Sequence, residues 1–106
     1  MKSAESPQAS LSIALKIDEH DNVATIFANG ITAGTQVEVK DKRGGRAVLT
    51  VLNDIPYGHK IATRNIRCGE HIIKYGESIG AASCDIPAGG YVHVHNMVAL
   101  RGRGDL

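Results

Sequence analysis

The apolar positions of this chain are dominated by one seven-residue motif that occurs four times: Ile, two residues, Gly, two residues, then Ile or Val. The copies are Ile31–Gly34–Val37, Ile55–Gly58–Ile61, Ile66–Gly69–Ile72 and Ile86–Gly89–Val92. Gly adopts backbone conformations that other residues resist, and β-branched residues favour strands. Each copy therefore predicts a turn that leads into a short strand. In two copies, Pro56 and Pro87 fix φ at the first turn position.

Alternating apolar residues predict further strands between the copies. Ile13, Leu15 and Ile17 are expected to form one face of a first strand, with residues 23–27 as its partner. The other predicted strands lie at 37–39, 47–52, 72–73, 79–82 and 92–98. In the last of them, Val92 and Val94 are expected to point into the core.

A helix of normal length is not expected, because apolar residues nowhere keep a 3.6-residue spacing for long enough. At most one short helix is predicted, within residues 56–67. The sequence thus predicts a compact all-β domain at 11–100. A disordered tail at 1–10 and a flexible tail at 101–106 are expected to flank it.

Composition narrows the classes of function. The 106 residues are 42% hydrophobic with a formal net charge of +1, which is typical of one globular domain with a modest core. Near-neutral charge and 4% aromatic residues argue against a nucleic-acid partner. No apolar run approaches the about 20 residues of a membrane span, and no signal-peptide core is present. Cys68 and Cys84 lie outside any CxxC motif, which favours buried or half-buried thiols and a cytoplasmic location over a disulfide.

The most chemically promising stretch follows the fourth copy. On a strand, His93 and His95 would project from the same face, where two imidazoles could ligate a metal, bind a carboxylate or share acid–base work. An exposed polar strand face is the alternative. Asn96 could orient a substrate or cap the end of the strand.

Two other turns carry cations. His59 and Lys60 follow the turn of the second copy and could meet an anionic substrate, although a solvent-exposed loop would also explain them. Lys74 could bind a carboxylate and Tyr75 could donate a hydrogen bond, although a surface hairpin would explain both. The chain has no nucleophile motif, phosphate-binding glycine loop or zinc-finger spacing. A complete active site is therefore not predicted from this chain alone.

Three segments resemble, in order, signatures of the altronate/galactarate dehydratase family. They are Asp54-Ile55-Pro56-Tyr57-Gly58-His59-Lys60-Ile61-Ala62, Lys74-Tyr75-Gly76-Glu77-Ser78-Ile79-Gly80 and Val92-His93-Val94-His95-Asn96. The resemblance covers about residues 11–100 and implies the family's small SAF domain, which has a β-clip fold.

The resemblance also implies a function. The chain would be the small subunit of a metal-dependent hydro-lyase that removes water from a sugar acid such as altronate or galactarate, inactive without a large catalytic subunit. The small subunit of sulfolactate sulfo-lyase, which releases sulfite, is the close alternative. The alternative from another class of function is a non-catalytic module that binds carbohydrate or serves assembly.

Residue roles and cofactors follow from the same resemblance. His93 and His95 would be catalytic, and the substrate-binding residues would be His59, Lys60, Lys74, Tyr75 and Asn96. A divalent metal, iron or manganese, would be held mainly by the large subunit, with His93 and His95 as candidate ligands. The expected partners are the large subunit and the sugar acid, and a homo-oligomer is compatible with the sequence.

Overall fold

The computed structural model describes residues 11–99, which form nine strands and no helix. The strands are β1 (Ser12–Lys16), β2 (Val23–Ile26), β3 (Gln36–Asp41), β4 (Arg46–Thr50), β5 (Lys60–Ala62), β6 (His71–Lys74), β7 (Glu77–Ala82), β8 (Tyr91–Val92) and β9 (Met97–Val98). The all-β prediction is confirmed. The short helix allowed within residues 56–67 is absent, because a turn and β5 occupy this segment. The predicted tails at 1–10 and 101–106 lie outside the described residues.

The strands form two sheets. One has six strands in the order β4-β3-β1-β2-β5-β8, and the other has three in the order β6-β7-β9. All pairs are antiparallel except β1 with β3, which run parallel at the centre of the larger sheet. Among residues 11–99, no helix is long and apolar enough to cross a membrane.

The four repeated turns are confirmed as turns that lead into β3, β5, β6 and β8. Their glycines all have positive φ: Gly34 94°, Gly58 83°, Gly69 88° and Gly89 90°. This left-handed conformation is the reason for glycine at these positions, since a Cβ would strain it.

The turns are joined in two equivalent pairs. Antiparallel bridges join Ile31 to Ile55 and Ile66 to Ile86, so the first turn meets the second and the third meets the fourth. The surrounding hydrogen bonds are duplicated as well. The Ala33 N–H donates to Asp54 Oδ1 at 3.0 Å, just as the Cys68 N–H donates to Asp85 Oδ1 at 2.8 Å. The described domain is therefore an internal duplication of one two-turn unit.

Each unit of the duplication has its own core. The first core contains the buried residues Ala14, Ala24, Ile26, Ile31, Val37, Val39, Val51, Ile55 and Ile61. The second contains Val23, Ala62, Ile66, Ile72, Ala82, Ile86 and Val92. β5 belongs to both cores, since Ile61 faces the first and Ala62 faces the second. This shared strand brings the functional segments of the two units together.

The predicted first strand is present as β1. Its buried residue is Ala14, which packs in the first core, whereas Ile13, Leu15 and Ile17 are only partly buried. The expected burial of the cysteines is wrong. The cysteines are free thiols as expected, but both are exposed because they lie in the turns between strands.

Candidate functional site

The second and fourth turns meet at one surface because β5 pairs with β8. In this antiparallel register, Lys60 lies opposite Val92 and Ile61 lies opposite Tyr91. His59 immediately precedes β5, and His93 immediately follows β8, so the register places these two histidines side by side. The two turns that sequence analysis singled out therefore contribute to the same surface.

Four rings form a cluster there: His59, Tyr91, His93 and His95, hereafter the His–Tyr cluster. The ring centroids of His59 and His93 are 4.4 Å apart. Tyr91 stacks on His93 at 5.7 Å with an interplanar angle of 15°, and its centroid is 5.1 Å from that of His95. Nδ1 of His59 is hydrogen-bonded to the Tyr91 hydroxyl at 2.6 Å. Tyr91 thus contacts all three imidazoles.

The segment from His93 to Asn96 is a turn, so the predicted strand over 92–98 is wrong in its middle. Val94 is 75% exposed instead of facing the core, whereas Val92 is buried as predicted. The strand breaks because the Asn96 N–H donates to the His93 carbonyl oxygen at 3.1 Å, which closes the turn. Both imidazoles nevertheless lie against Tyr91, so they share one side of the domain as expected.

Asn96 holds this turn with its buried side chain. The His93 N–H donates to Asn96 Oδ1 at 3.0 Å, and Asn96 Nδ2 donates to the Tyr91 carbonyl oxygen at 2.8 Å. The amide therefore links the two ends of the segment that carries the His–Tyr cluster. Of the two roles considered for Asn96, this geometry matches the cap at the strand end.

Lys60 lies on the other face of β5 from Tyr91. It shares the face of Val92, so its stem packs at the edge of the second core. Burial lowers the pKa of the Lys60 ammonium, and the positive charge of Lys74 lowers it further. In residues 11–99, neither lysine forms an ion pair. Lys60 and Lys74 therefore carry positive charges that no ion pair within residues 11–99 neutralises.

Tyr75 lies at the tip of the β6–β7 hairpin. Tyr75 and Gly76 both have positive φ, 57° and 78°, as the central residues of a tight hairpin turn require. The Tyr75 ring is exposed, and Lys74 Nζ lies 4.8 Å from its centroid, within the range of a cation–π contact. Lys74 and Tyr75 thus contact each other, and no contact joins Tyr75 to the rings of the His–Tyr cluster.

His93 is the electrostatically unusual imidazole. Burial lowers its pKa, and the neighbouring bases His59, Lys60 and His95 lower it further. Its Nδ1 atom is buried without a hydrogen-bond partner among the described residues. Buried polar atoms are normally paired, and exceptions often mark functional sites. A neutral imidazole with a free ring nitrogen can accept or donate one further hydrogen bond.

The cluster by itself does not fit a divalent metal. No group of three or more His, Cys, Asp or Glu side chains within residues 11–99 is arranged to hold a metal ion. His59 and His93 lie ring against ring at an interplanar angle of 36°, which lets them contact each other. A protein metal site normally needs at least three converging ligands. The chemistry available here is anion binding and hydrogen bonding.

Sequence analysis missed Tyr91. A signal was present, since Tyr91, His93 and His95 stand at alternating positions and would share one face of an extended segment. The structure joins His93, His95 and His59 around this residue. Lys60 lies on the other face of β5 from Tyr91, although its charge still lowers the pKa of His93. Lys74 lies at the end of β6, next to Tyr75.

Comparison with known proteins gives a family match over almost the whole described domain. Residues 12–100 match the altronate/galactarate dehydratase SAF domain. Altronate dehydratase of Escherichia coli is 42% identical over 82 residues, which are 77% of this chain and 15% of that enzyme. The chain thus matches only a small part of the length of this relative.

Two relatives are of similar size to this chain. The (2R)-sulfolactate sulfo-lyase subunit alpha of Paracoccus pantotrophus is 48% identical over 53 residues, covering 50% of this chain and 79% of that subunit. The subunit of the same name in Chromohalobacter salexigens is 34% identical over 85 residues, covering 79% of this chain and 90% of that subunit.

Proposed function

The chain belongs to the family of altronate/galactarate dehydratase SAF domains, and on this premise we propose that it is the small subunit of a hydro-lyase acting on a sugar acid. In this proposal it completes the active site of a separate large catalytic subunit. The high coverage of the two sulfo-lyase alpha subunits supports a role as a subunit. The dehydratase relatives support the lyase chemistry.

The observation that carries the proposal is that basic side chains from distant turns meet at one surface. His59 and His93 come from turns more than thirty residues apart, yet their rings touch, and the charge of Lys60 on the other face of β5 still lowers the pKa of His93. The charged groups that shift the pKa of His93 and Lys60 are all basic. Such a surface suits a carboxylate, because an anion would offset the mutual repulsion of these groups.

Each part of the surface has a defined task in this reaction. Elimination of water from a sugar acid removes a proton α to the carboxylate and releases the β-hydroxyl group. The imidazoles and lysines of this chain would bind and orient the carboxylate and help to exclude water. The catalytic subunit would supply the base and the ligands of a divalent metal, iron or manganese, whose role is to polarise substrate oxygens.

Exposed apolar residues beside the cluster support a covering partner. Phe27 and Tyr57 are exposed and pack edge to face with centroids 6.0 Å apart, and Tyr57 precedes His59 by two residues. Val94, which lies between His93 and His95 in the sequence, is exposed as well. Exposed apolar groups grouped around a polar site are typical of interaction surfaces.

The test is reconstitution with a large catalytic subunit of the same family, sought first in the reading frames next to the gene of this chain. The purified complex is assayed on a panel of sugar acids with wild-type, His93→Ala and His95→Ala chains, and His20→Ala serves as the control because His20 is exposed in a turn and contacts Asp18. We expect loss of activity in the first two variants only. Full activity in both would contradict the proposed site.

Sulfolactate is the second candidate substrate, because the alpha subunits of sulfo-lyase are the relatives that this chain covers most completely. It carries a sulfonate in addition to a carboxylate, so two separated cations such as Lys60 and Lys74 would suit it. Including sulfolactate in the panel, with sulfite as the measured product, separates the two candidates.

A further inference from the structure

Tyr91 is the most constrained residue of the His–Tyr cluster. Its N–H donates to Asn53 Oδ1 at 3.0 Å, and its carbonyl oxygen accepts from Asn96 Nδ2 at 2.8 Å. Its ring packs against the first core and stacks on His93. The scaffold therefore fixes both the backbone and the ring, and with them the position of the phenol hydroxyl.

The hydroxyl is directed at one ring nitrogen of His59, with 2.6 Å between the oxygen and Nδ1. Either group could donate in principle. A phenol is a stronger acid than a neutral imidazole N–H, and an imidazole nitrogen is a better acceptor than a phenol oxygen. The favoured arrangement has the Tyr91 O–H donating to His59 Nδ1. Since one ring nitrogen then acts as acceptor, the neutral ring carries its proton on Nε2.

We propose that Tyr91 is a positioning residue whose hydroxyl fixes His59 in the Nε2–H tautomer, so that His59 donates a hydrogen bond to the substrate carboxylate. This inference rests on the proposed function for the identity of the ligand, but the tautomer is a property of the chain alone. It also assigns the reaction's base to another group, because an Nε2–H tautomer has no free Nε2 lone pair to accept a proton.

The neighbourhood of His59 agrees with a donor role. The ring of His93 lies 4.4 Å away, and Lys60 is adjacent in sequence. His93 and Lys60 each carry a lowered pKa caused by burial and by neighbouring bases. An outward N–H at His59 adds a further donor to a surface already suited to an anion. A lone pair at the same place would oppose the carboxylate.

The first test is the tautomer of His59 in the full chain. With ¹⁵N-labelled histidine at a pH where the rings are neutral, long-range ¹H–¹⁵N spectra distinguish Nε2–H from Nδ1–H rings. We expect His59 to show the Nε2–H pattern in the wild type. A wild-type Nδ1–H pattern overturns the proposal directly, whatever any variant does.

The second test removes the hydroxyl. In Tyr91→Phe we expect the ratio of Nδ1–H to Nε2–H in His59 to rise by about fivefold, the factor given by one net hydrogen bond of ordinary strength. Tyr57→Phe is the matched control, because the Tyr57 ring is exposed and packs on Phe27. An unchanged ratio in Tyr91→Phe, or an equal change in Tyr57→Phe, contradicts the positioning role.

A kinetic test separates this inference from the proposed function. In the reconstituted enzyme, Tyr91→Phe should raise KM more than it lowers kcat, because a donor to the carboxylate acts mainly in binding. A lower kcat with unchanged KM contradicts the donor role. If the tautomer is as expected but the wild-type complex is inactive on every acid of the panel, the proposed function fails while the tautomer assignment stands. If the complex is active and His59→Ala leaves KM unchanged, the donor role fails while the proposed function stands.

Discussion

Replacing Asn96 by alanine tests whether this side chain holds the His–Tyr cluster in place. Asn96 is only 8% exposed, and its amide makes two hydrogen bonds, one with the His93 N–H and one with the Tyr91 carbonyl oxygen. An ordinary net hydrogen bond contributes about 1 kcal/mol, and a buried group left unpaired costs more. We therefore expect Asn96→Ala to lower the free energy of unfolding by about 2–3 kcal/mol.

The assay is thermal and urea unfolding of the isolated full chain. For a domain of this size the expected loss corresponds to a fall in Tm of about 10–20 °C. Asn96→Asp keeps the acceptor for His93 but sets a carboxylate oxygen against the Tyr91 carbonyl oxygen, so at neutral pH its Tm should fall at least as far as that of Asn96→Ala. Asn65→Ala is the control, because exposed Asn65 makes one hydrogen bond with its Oδ1, accepted from the Ala88 N–H at 2.9 Å.

Equal losses in Asn96→Ala and Asn65→Ala would refute this reasoning, because the two variants differ in the number of bonds and in burial. An unchanged Tm for Asn96→Ala, combined with a raised KM in the reconstituted enzyme, would show instead that the amide binds substrate. A loss of stability together with altered His93 and His95 resonances is the result that the structure predicts.

The remaining predictions concern the close packing at Gly89, the partly buried charge of Lys60 and the protonation of His93. Gly89→Ala should destabilise the chain much more than Gly34→Ala, and urea unfolding of both variants checks this. Both glycines have positive φ, but of the two only Gly89 would place a Cβ against a carbonyl oxygen, that of Thr50. Lys60→Met should leave Tm equal or higher while weakening substrate binding by the complex, because burial disfavours the Lys60 charge; a lower Tm would contradict it. In the folded chain His93 has a pKa below its ordinary 6.5, so between the folded and the unfolded pKa the unfolded chain binds more protons. The free energy of unfolding should therefore rise with pH through that window and level off above 6.5. His93→Gln should flatten this dependence in urea unfolding.

Much of the scaffold was predictable because its signals are local. A special backbone conformation at the four repeated glycines follows from their shared position in the repeat, and all four have positive φ. The β3–β4 hairpin follows from alternation and a polar turn that contains Gly44. The inner face of β1 was not predictable in this way, since Ala14 is buried only because β1 lies between two other strands.

The candidate site was predictable in its residues and less so in its arrangement. His59 and His93 stand out by type, but their contact depends on the pairing of β5 with β8, which links residues distant in sequence. Alternation predicted a strand through Val94, because a periodic pattern does not show that the Asn96 side chain closes a turn. Tyr91 was not predicted because its role depends on contacts with three imidazole rings, and these contacts exist only in the folded chain.

The most direct test of the central claim is a structure of this chain in complex with its catalytic subunit and an unreactive substrate analogue. The measurement is the distance from His59 Nε2 to the nearest carboxylate oxygen of the analogue. We predict a hydrogen bond of about 2.7–3.2 Å. An analogue bound entirely by the catalytic subunit, with the His–Tyr cluster facing solvent, would contradict the account.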